Sequence, residues 1–355
     1  MKDKQVLISV VMPVYNGGYF LQDAIDSILS QSLTDFEFII INDGSTDNTE
    51  EIIMSYDDPR ICYVKNSENL KLIKTLNKGI DIARGKYIAR MDADDISLPT
   101  RFEDQVKIFE EYIGVDIVNV RAFLLDEDAQ YYRKPNTLFP FSFEASKYVI
   151  PFQNFICHPG VMIRSSVLKK YKYEDSVDSL HIEDFHLWNR LLSNGHICYN
   201  IDKYLLLYRL NGGSITHQNR RNQVQLRRQL IPENLDRITD VKISNDCLAV
   251  ILRDVSSFSF RNLVKTDHFF EAYFESLFKK YSWSLQGEKD IRLWKKHFMF
   301  SNCINALRSG TFQKRIYILL FFISRINWFF DIRWLKLINP FKKRVYKLTT
   351  NSEIN

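Results

Sequence analysis

The chain has 355 residues, of which 45% are hydrophobic, 26% charged and 14% aromatic. That much apolar side chain fills a core, which excludes wholesale disorder. A net charge of +5, from 48 Lys and Arg against 43 Asp and Glu, is too mild to mark a nucleic-acid binder.

In chain order, residues 7–13 are a short apolar run rich in β-branched side chains, the pattern of a buried parallel strand. Phe20, Ala24, Ile25, Ile28 and Leu29 then recur at helical spacing. A second strand is expected over 36–41, ending in the turn cluster Asn42-Asp43-Gly44-Ser45. Asp47, with Glu50 three residues on, predicts a capped helix start. Residues 61–64 predict a third strand, 70–83 a third helix and 87–91 a fourth strand after Gly85. Strands alternating with helices of this length predict a parallel α/β sheet with right-handed crossovers. Ser97-Leu98-Pro99 reads as a further helix start. Over 144–213 the pattern is less regular, apart from a helix near 183–192, and beyond about 220 it is helical and aromatic. The expected domains are 1–235 and a helical, aromatic and basic region over 236–355.

Five scattered cysteines, none in a C-x-x-C pair, indicate no disulfide framework and no zinc site. No signal-peptide pattern opens the chain, and no apolar run reaches the roughly 18–20 residues of a membrane-spanning helix. A cytoplasmic location is expected. The basic charge is concentrated at one end. From 311 to 355 there are nine Lys and Arg against Asp331 and Glu353, a net +7 that leaves −2 for the remainder. Aromatic residues interleave with these cations, which suggests peripheral contact with the inner face of the membrane. A helical pair packed on the body is the other reading.

In open α/β sheets, ligands sit beyond the carboxyl ends of the strands. Three polar clusters fall there: Tyr15-Asn16-Gly17-Gly18, Asn42-Asp43-Gly44-Ser45 and Asp92-Ala93-Asp94-Asp95. Carboxylates at alternate positions past a strand end can converge on a hard divalent cation. Such a cation neutralises a departing diphosphate. An isolated D-x-D also fits a solvated acidic turn; the two neighbouring clusters favour the metal. Asp43 can accept a hydrogen bond from a base N–H, and Pro13-Val14-Tyr15-Asn16 can frame a flat base. Glu183-Asp184 opens an apolar helical segment, where the helix dipole favours an ionised carboxylate able to take a proton from a sugar hydroxyl. His158 and His217 read as structural or solvent-facing, and Arg220-Arg221 with Arg227-Arg228 as a solvated helix face.

Pro13 to Asn16, Asn42 to Thr49, Asn77-Lys78-Gly79, Ala89 to Asp95, His158-Pro159, Glu183-Asp184 with Leu187-Trp188, and Tyr208-Arg209 occur in one order. That ordered set resembles the family 2 glycosyltransferases, inverting enzymes of the GT-A fold, over about residues 6–217. The resemblance implies a Rossmann-like, mostly parallel sheet with a helical C-terminal extension. It also implies transfer from a UDP-sugar to a saccharide or lipid-linked saccharide acceptor in surface polysaccharide synthesis. Nucleotide contacts would come from Pro13, Val14, Tyr15, Asn16, Asp43, Asn77, Arg90, Met91 and Asp92. Asp94 and Asp92 would hold Mn²⁺ or Mg²⁺, Asp184 would be the base, and Glu183 would lie beside it near the acceptor. Lys71 stands where the family usually has Gly, which suggests a differently shaped loop. Asn211 stands where many relatives carry His, and His217 is a candidate to supply that imidazole. Two other readings stay open: a catalytically inactive saccharide-binding or scaffold protein, and a sugar-nucleotide pyrophosphorylase. The latter lacks support because residues 13–20 carry no cation for a triphosphate.

Overall fold

A computed structural model describes residues 6–127, 129, 131–135, 142–211, 219–309, 311–325 and 345–347. The first third alternates as expected: β1 (Ile8–Val14), α1 (Leu21–Leu29), β2 (Phe36–Asn42), α2 (Thr49–Met54), β3 (Ile61–Lys65), α3 (Leu72–Ile82) and β4 (Tyr87–Arg90). Every residue of β1, β2 and β4 is buried. Strands covered by helices on both faces must be apolar throughout, which is why they read as unbroken runs. β1 pairs in parallel with β2 on one side and β4 on the other, and β3 extends the sheet beyond β2. α3 lies close on this sheet because Gly79 has no side chain. A Cβ there would stand 2.5 Å from Val11 Cγ1 and 2.9 Å from Ile41 Cδ1.

Beyond β4 the sheet becomes mixed, which the sequence pattern did not indicate. The next elements are β5 (Ile96–Ser97), α4 (Arg101–Glu111), β6 (Val115–Leu125), β7 (Tyr131–Arg133), α5 (Phe143–Val149), β8 (Met162–Arg164), α6 (Ser165–Tyr171), α7 (Glu183–Ser193) and β9 (Ile197–Arg209). β8 runs antiparallel between β4 and β6, while β9 runs parallel to β6. A short β10 (Val345–Lys347) pairs antiparallel with β7. The expected helix start at 97–99 is corrected: Ile96 and Ser97 pair with Leu207 and Leu206 of β9, and the helix begins at Arg101. The expected capping box is also absent. Asn48 occupies the cap position, Asp47 takes the Thr49 amide and Glu50 turns to Lys65 and Tyr63.

The chain forms two compact units, one of residues 1–135, 156–218 and 344–355, the other of 136–155 and 219–343. The first holds the sheet, with a core of Ile8, Val10, Phe38, Ile40, Ala89, Phe102 and Met162 among others. The second is helical: α5, α8 (Arg220–Ile238), α9 (Asn245–Ile251), α10 (Phe260–Lys280), α11 (Leu285–Ser309) and α12 (Phe312–Ser324). Its centre is aromatic, with Phe152, Phe270 and Trp294 in mutual ring contact. Arg227 departs from the expected solvated face; it is half-buried and donates to the Phe152 carbonyl at 2.9 Å.

Candidate active site

The loops after β1 and β2 are stitched together. Pro13 and Val14 end β1 in the core, and the Val14 carbonyl accepts the Asp43 amide at 2.8 Å. Asn16 takes a positive φ of 49°, its Oδ1 accepting from the Thr46 amide at 2.8 Å while its own amide donates to Ser45 Oγ at 3.0 Å. Tyr15 stands half exposed at this rim. Asp43 is buried and organises the next loop: Oδ1 accepts from Asn66 Nδ2 at 2.7 Å and the Leu70 amide at 2.9 Å, and Oδ2 from the Lys71 amide at 3.0 Å. Lys71 has φ 72° and ψ 163°, a region that only glycine enters cheaply. The loop therefore keeps a glycine-type backbone with a lysine in it.

Past β4, one carboxylate oxygen each from Asp92, Asp94 and Asp95 lie within 4.8 Å of one another. Arg90, buried at the end of β4, pairs with Asp92, and its Nε and Nη1 have no partner. Burial opposes the Arg90 charge, but Asp92 outweighs it and raises the pKa. Burial, then the Asp92 charge, push Asp94 up to about 6. Asp95 is raised in the same way, by burial and then by Asp92 and Asp94. Asn211 Nδ2 donates to Asp94 Oδ2 at 2.7 Å, so this amide stands against the acidic cluster itself. Arg209 fixes the cluster from behind. Its backbone N–H donates to Asp95 Oδ1 at 2.8 Å, its Nε to the Asp94 carbonyl at 2.8 Å, and its guanidinium lies 4.4 Å from the Phe20 ring centroid. Asp95 Oδ2 is buried without a partner. Three convergent carboxylates, the charge on two of them disfavoured by burial and by their neighbours and one with an orphaned oxygen, are a donor set that fits a hard divalent cation.

Glu183 and Asp184 form the first turn of α7, and the capping residue Ile182 offers no side-chain bond. Asp184 is half-buried, and its Oδ1 accepts its neighbour's amide, from Phe185, at 2.6 Å. Glu183 is buried; burial and then the Asp184 charge push it up to about 7, with Asp92 adding and Arg90 opposing. The acidic pair and the Asp92 cluster thus share one electrostatic site. Tyr173 belongs to it too: burial raises its hydroxyl, Arg90 opposes, and Asp184, Glu183 and Asp92 add. That hydroxyl lies 2.7 Å from His158 Nε2, and burial holds the imidazole well below its usual pKa. His158 is therefore neutral, half-buried and held by Tyr173, the structural of its two expected readings.

Asn77 pins Tyr173 through both backbone groups, donating from Nδ2 to the carbonyl at 2.8 Å and accepting from the amide at 3.0 Å. Met91 has its side chain in the core. His217 lies outside the described residues. The sequence reading assigned no role to Asp95, Arg209 or Tyr173. The first two stand inside motifs that signalled the site; Tyr173 carries no signal of its own.

The model for "Glycosyl transferase family 2" matches residues 9–172. An uncharacterized glycosyltransferase of Methanocaldococcus jannaschii is 37% identical over 210 residues, covering 58% of this chain and 71% of that protein. The chain belongs to glycosyltransferase family 2. It is accordingly a glycosyltransferase. A glycosyltransferase of Haemophilus influenzae is 30% identical, covering 67% of this chain and 78% of its relative. Among solved structures, S. aureus TarS 1–349 in complex with UDP-GlcNAc has a TM-score of 0.53 at 15% identity, covering 83% of this chain and 92% of that one. The mannosyltransferase PcManGT from Pyrobaculum calidifontis, in complex with GDP-Man and Mn²⁺, has a TM-score of 0.51 at 14% identity, covering 87% and 89%. At these identities the likeness is one of fold, and it gives the GT-A architecture.

Proposed function

We propose that the chain transfers a hexosyl or N-acetylhexosaminyl group from a UDP-sugar to a saccharide or lipid-linked saccharide, with inversion at the anomeric carbon. The reading is carried by the convergence of Asp92, Asp94 and Asp95 beside Arg90, whose Nε and Nη1 are unpartnered and whose charge, with that of Asp92, acts on Glu183 of the acidic pair. Transfer with inversion needs a base on one side of the anomeric carbon and charge neutralisation on the other. Asp184 is the base. It is the less buried of the pair and sits at a helix N-terminus, which favours its ionised form. Glu183, pushed up to about 7, is only partly ionised near neutrality, which leaves the proton-accepting role to Asp184.

On the donor side, the unpartnered N–H groups of Arg90 point to an anionic ligand group such as the diphosphate. Asp94 and Asp92, with Asp95 behind them, would hold Mn²⁺ or Mg²⁺, which supplies positive charge to a departing diphosphate. Asp43 and the Pro13–Asn16 rim receive the base, and Asn77 acts by holding Tyr173 in place. The UDP-GlcNAc of TarS and the GDP-Man of PcManGT support a nucleotide-sugar donor here. A surface polysaccharide is the product class that this donor and acceptor chemistry serves. The test is a panel of UDP-sugars offered with Mn²⁺ or Mg²⁺. One of them should be turned over, slowly to water and faster to an acceptor, and turnover should stop on chelation. Indifference to every nucleotide sugar would overturn the proposal.

A further inference from the structure

We infer that α12 rests its outer face on an anionic lipid surface. This rests on the second unit alone and is independent of the donor and of the catalytic roles above. Nine of the thirteen residues of α12 are apolar or aromatic. Only Ile318 and Phe321 are fully buried. Phe312, Ile316, Leu319, Leu320 and Ile323 are 79%, 42%, 58%, 47% and 57% exposed. Their spacing of four, three, one and three residues places them on one stripe of the helix, facing away from its buried side. A contiguous apolar stripe in water marks an interaction surface rather than ordinary surface variation.

Two observations select the occupant. From 291 to 330 the chain has no Asp or Glu and seven Lys or Arg; Arg292, Lys295 and Arg325 are paired with Glu271 and Asp267 of α10, while exposed Arg315 stands within one helical turn of Phe312 and Leu319. A second copy would bring the same cations against each other, whereas an anionic leaflet complements them. At thirteen residues α12 rises about 20 Å, short of the roughly 30 Å of a bilayer core, so it lies in the interface plane. No described helix is long and apolar enough to cross a membrane. The end of the helix is tied to the rest of its unit. Asp267 of α10, buried, is ion-paired at 2.7 Å to Lys295 of α11 and at 2.7 Å to Arg325, the residue that closes α12.

The experiment is flotation of the full chain with vesicles of neutral phosphatidylcholine and of the same lipid mixed with an anionic phospholipid, without donor or metal. The wild type should float with the anionic vesicles and at least about tenfold less with the neutral ones. Leu319→Glu with Ile323→Glu should lower flotation about tenfold or more while the unfolding temperature and turnover of a water-soluble acceptor stay unchanged. Arg315→Glu should give an intermediate loss. A wild type that stays with neither vesicle overturns the inference, as does a double variant that floats like the wild type. A wild-type oligomer that the double variant dissociates, with no flotation of either, would make the stripe an interface between copies and overturn it equally.

Discussion

At the residue scale, the site is a set of carboxylates whose charges are not balanced within the protein. Glu183 shows the consequence most directly, because burial and Asp184 raise its pKa from 4.5 to about 7. A carboxyl raised on folding binds more protons in the native state than in the unfolded chain between those two values. Its stabilising contribution is therefore complete below about pH 4.5 and is lost as pH rises through about 7. Glu183→Gln removes that loss. The variant should gain a few degrees of unfolding temperature relative to wild type between pH 5 and pH 8, by calorimetry without added metal. A constant difference across that range would contradict the assignment. The acidic pair was legible in the sequence as a helix-opening doublet. That Glu183 is the one raised was not, since that depends on its being the more buried of the two.

Among the elements, the strands most plainly legible in the sequence are those buried on both faces. β1, β2 and β4 are covered on both faces, so each is an unbroken apolar run. β9 defeats that rule. It alternates irregularly between buried and exposed residues, and its pairing with β6 shifts register near Val120 and Arg121. Tyr173 was illegible for a related reason: it follows α6, and the residue that fixes it, Asn77, is 96 positions away. The loop before α3 offers a clean test, because Lys71 carries a backbone conformation suited to glycine. Relief of that strain outweighs the extra freedom of an unfolded glycine, so Lys71→Gly should stabilise the chain by about 1 kcal/mol. Thermal unfolding should show it as a rise of a few degrees, and a fall would mean that the lysine side chain itself stabilises the loop.

At the scale of the whole molecule, the mild net charge hides a separation of tasks. The sheet unit gathers carboxylates at the strand ends, where a nucleotide sugar and a cation are expected to meet. The helical unit contains the acid-free stretch from 291 to 330 and the exposed stripe of α12. Of the tail residues that first suggested a membrane surface, Trp328, Phe329, Phe330, Trp334, Leu335 and Lys342 to Arg344 lie outside the described residues. The surface reading consequently stands on α12, whose outward apolar spacing could be seen only once its buried side was known.

The central claim is that Asp184 removes a proton while Asp94 holds the cation for the donor. It is tested most directly by measuring, on one UDP-sugar, the transfer rate and the metal-dependent nucleotide affinity of Asp184→Asn and Asp94→Asn beside wild type. Asp184→Asn should lose about 10²–10⁴-fold in transfer with nucleotide affinity nearly intact. Asp94→Asn should bind nucleotide much more weakly in the presence of metal and show little difference from wild type in its absence. Two variants that fail in the same way, in affinity or in rate, would contradict the division of roles on which the account rests.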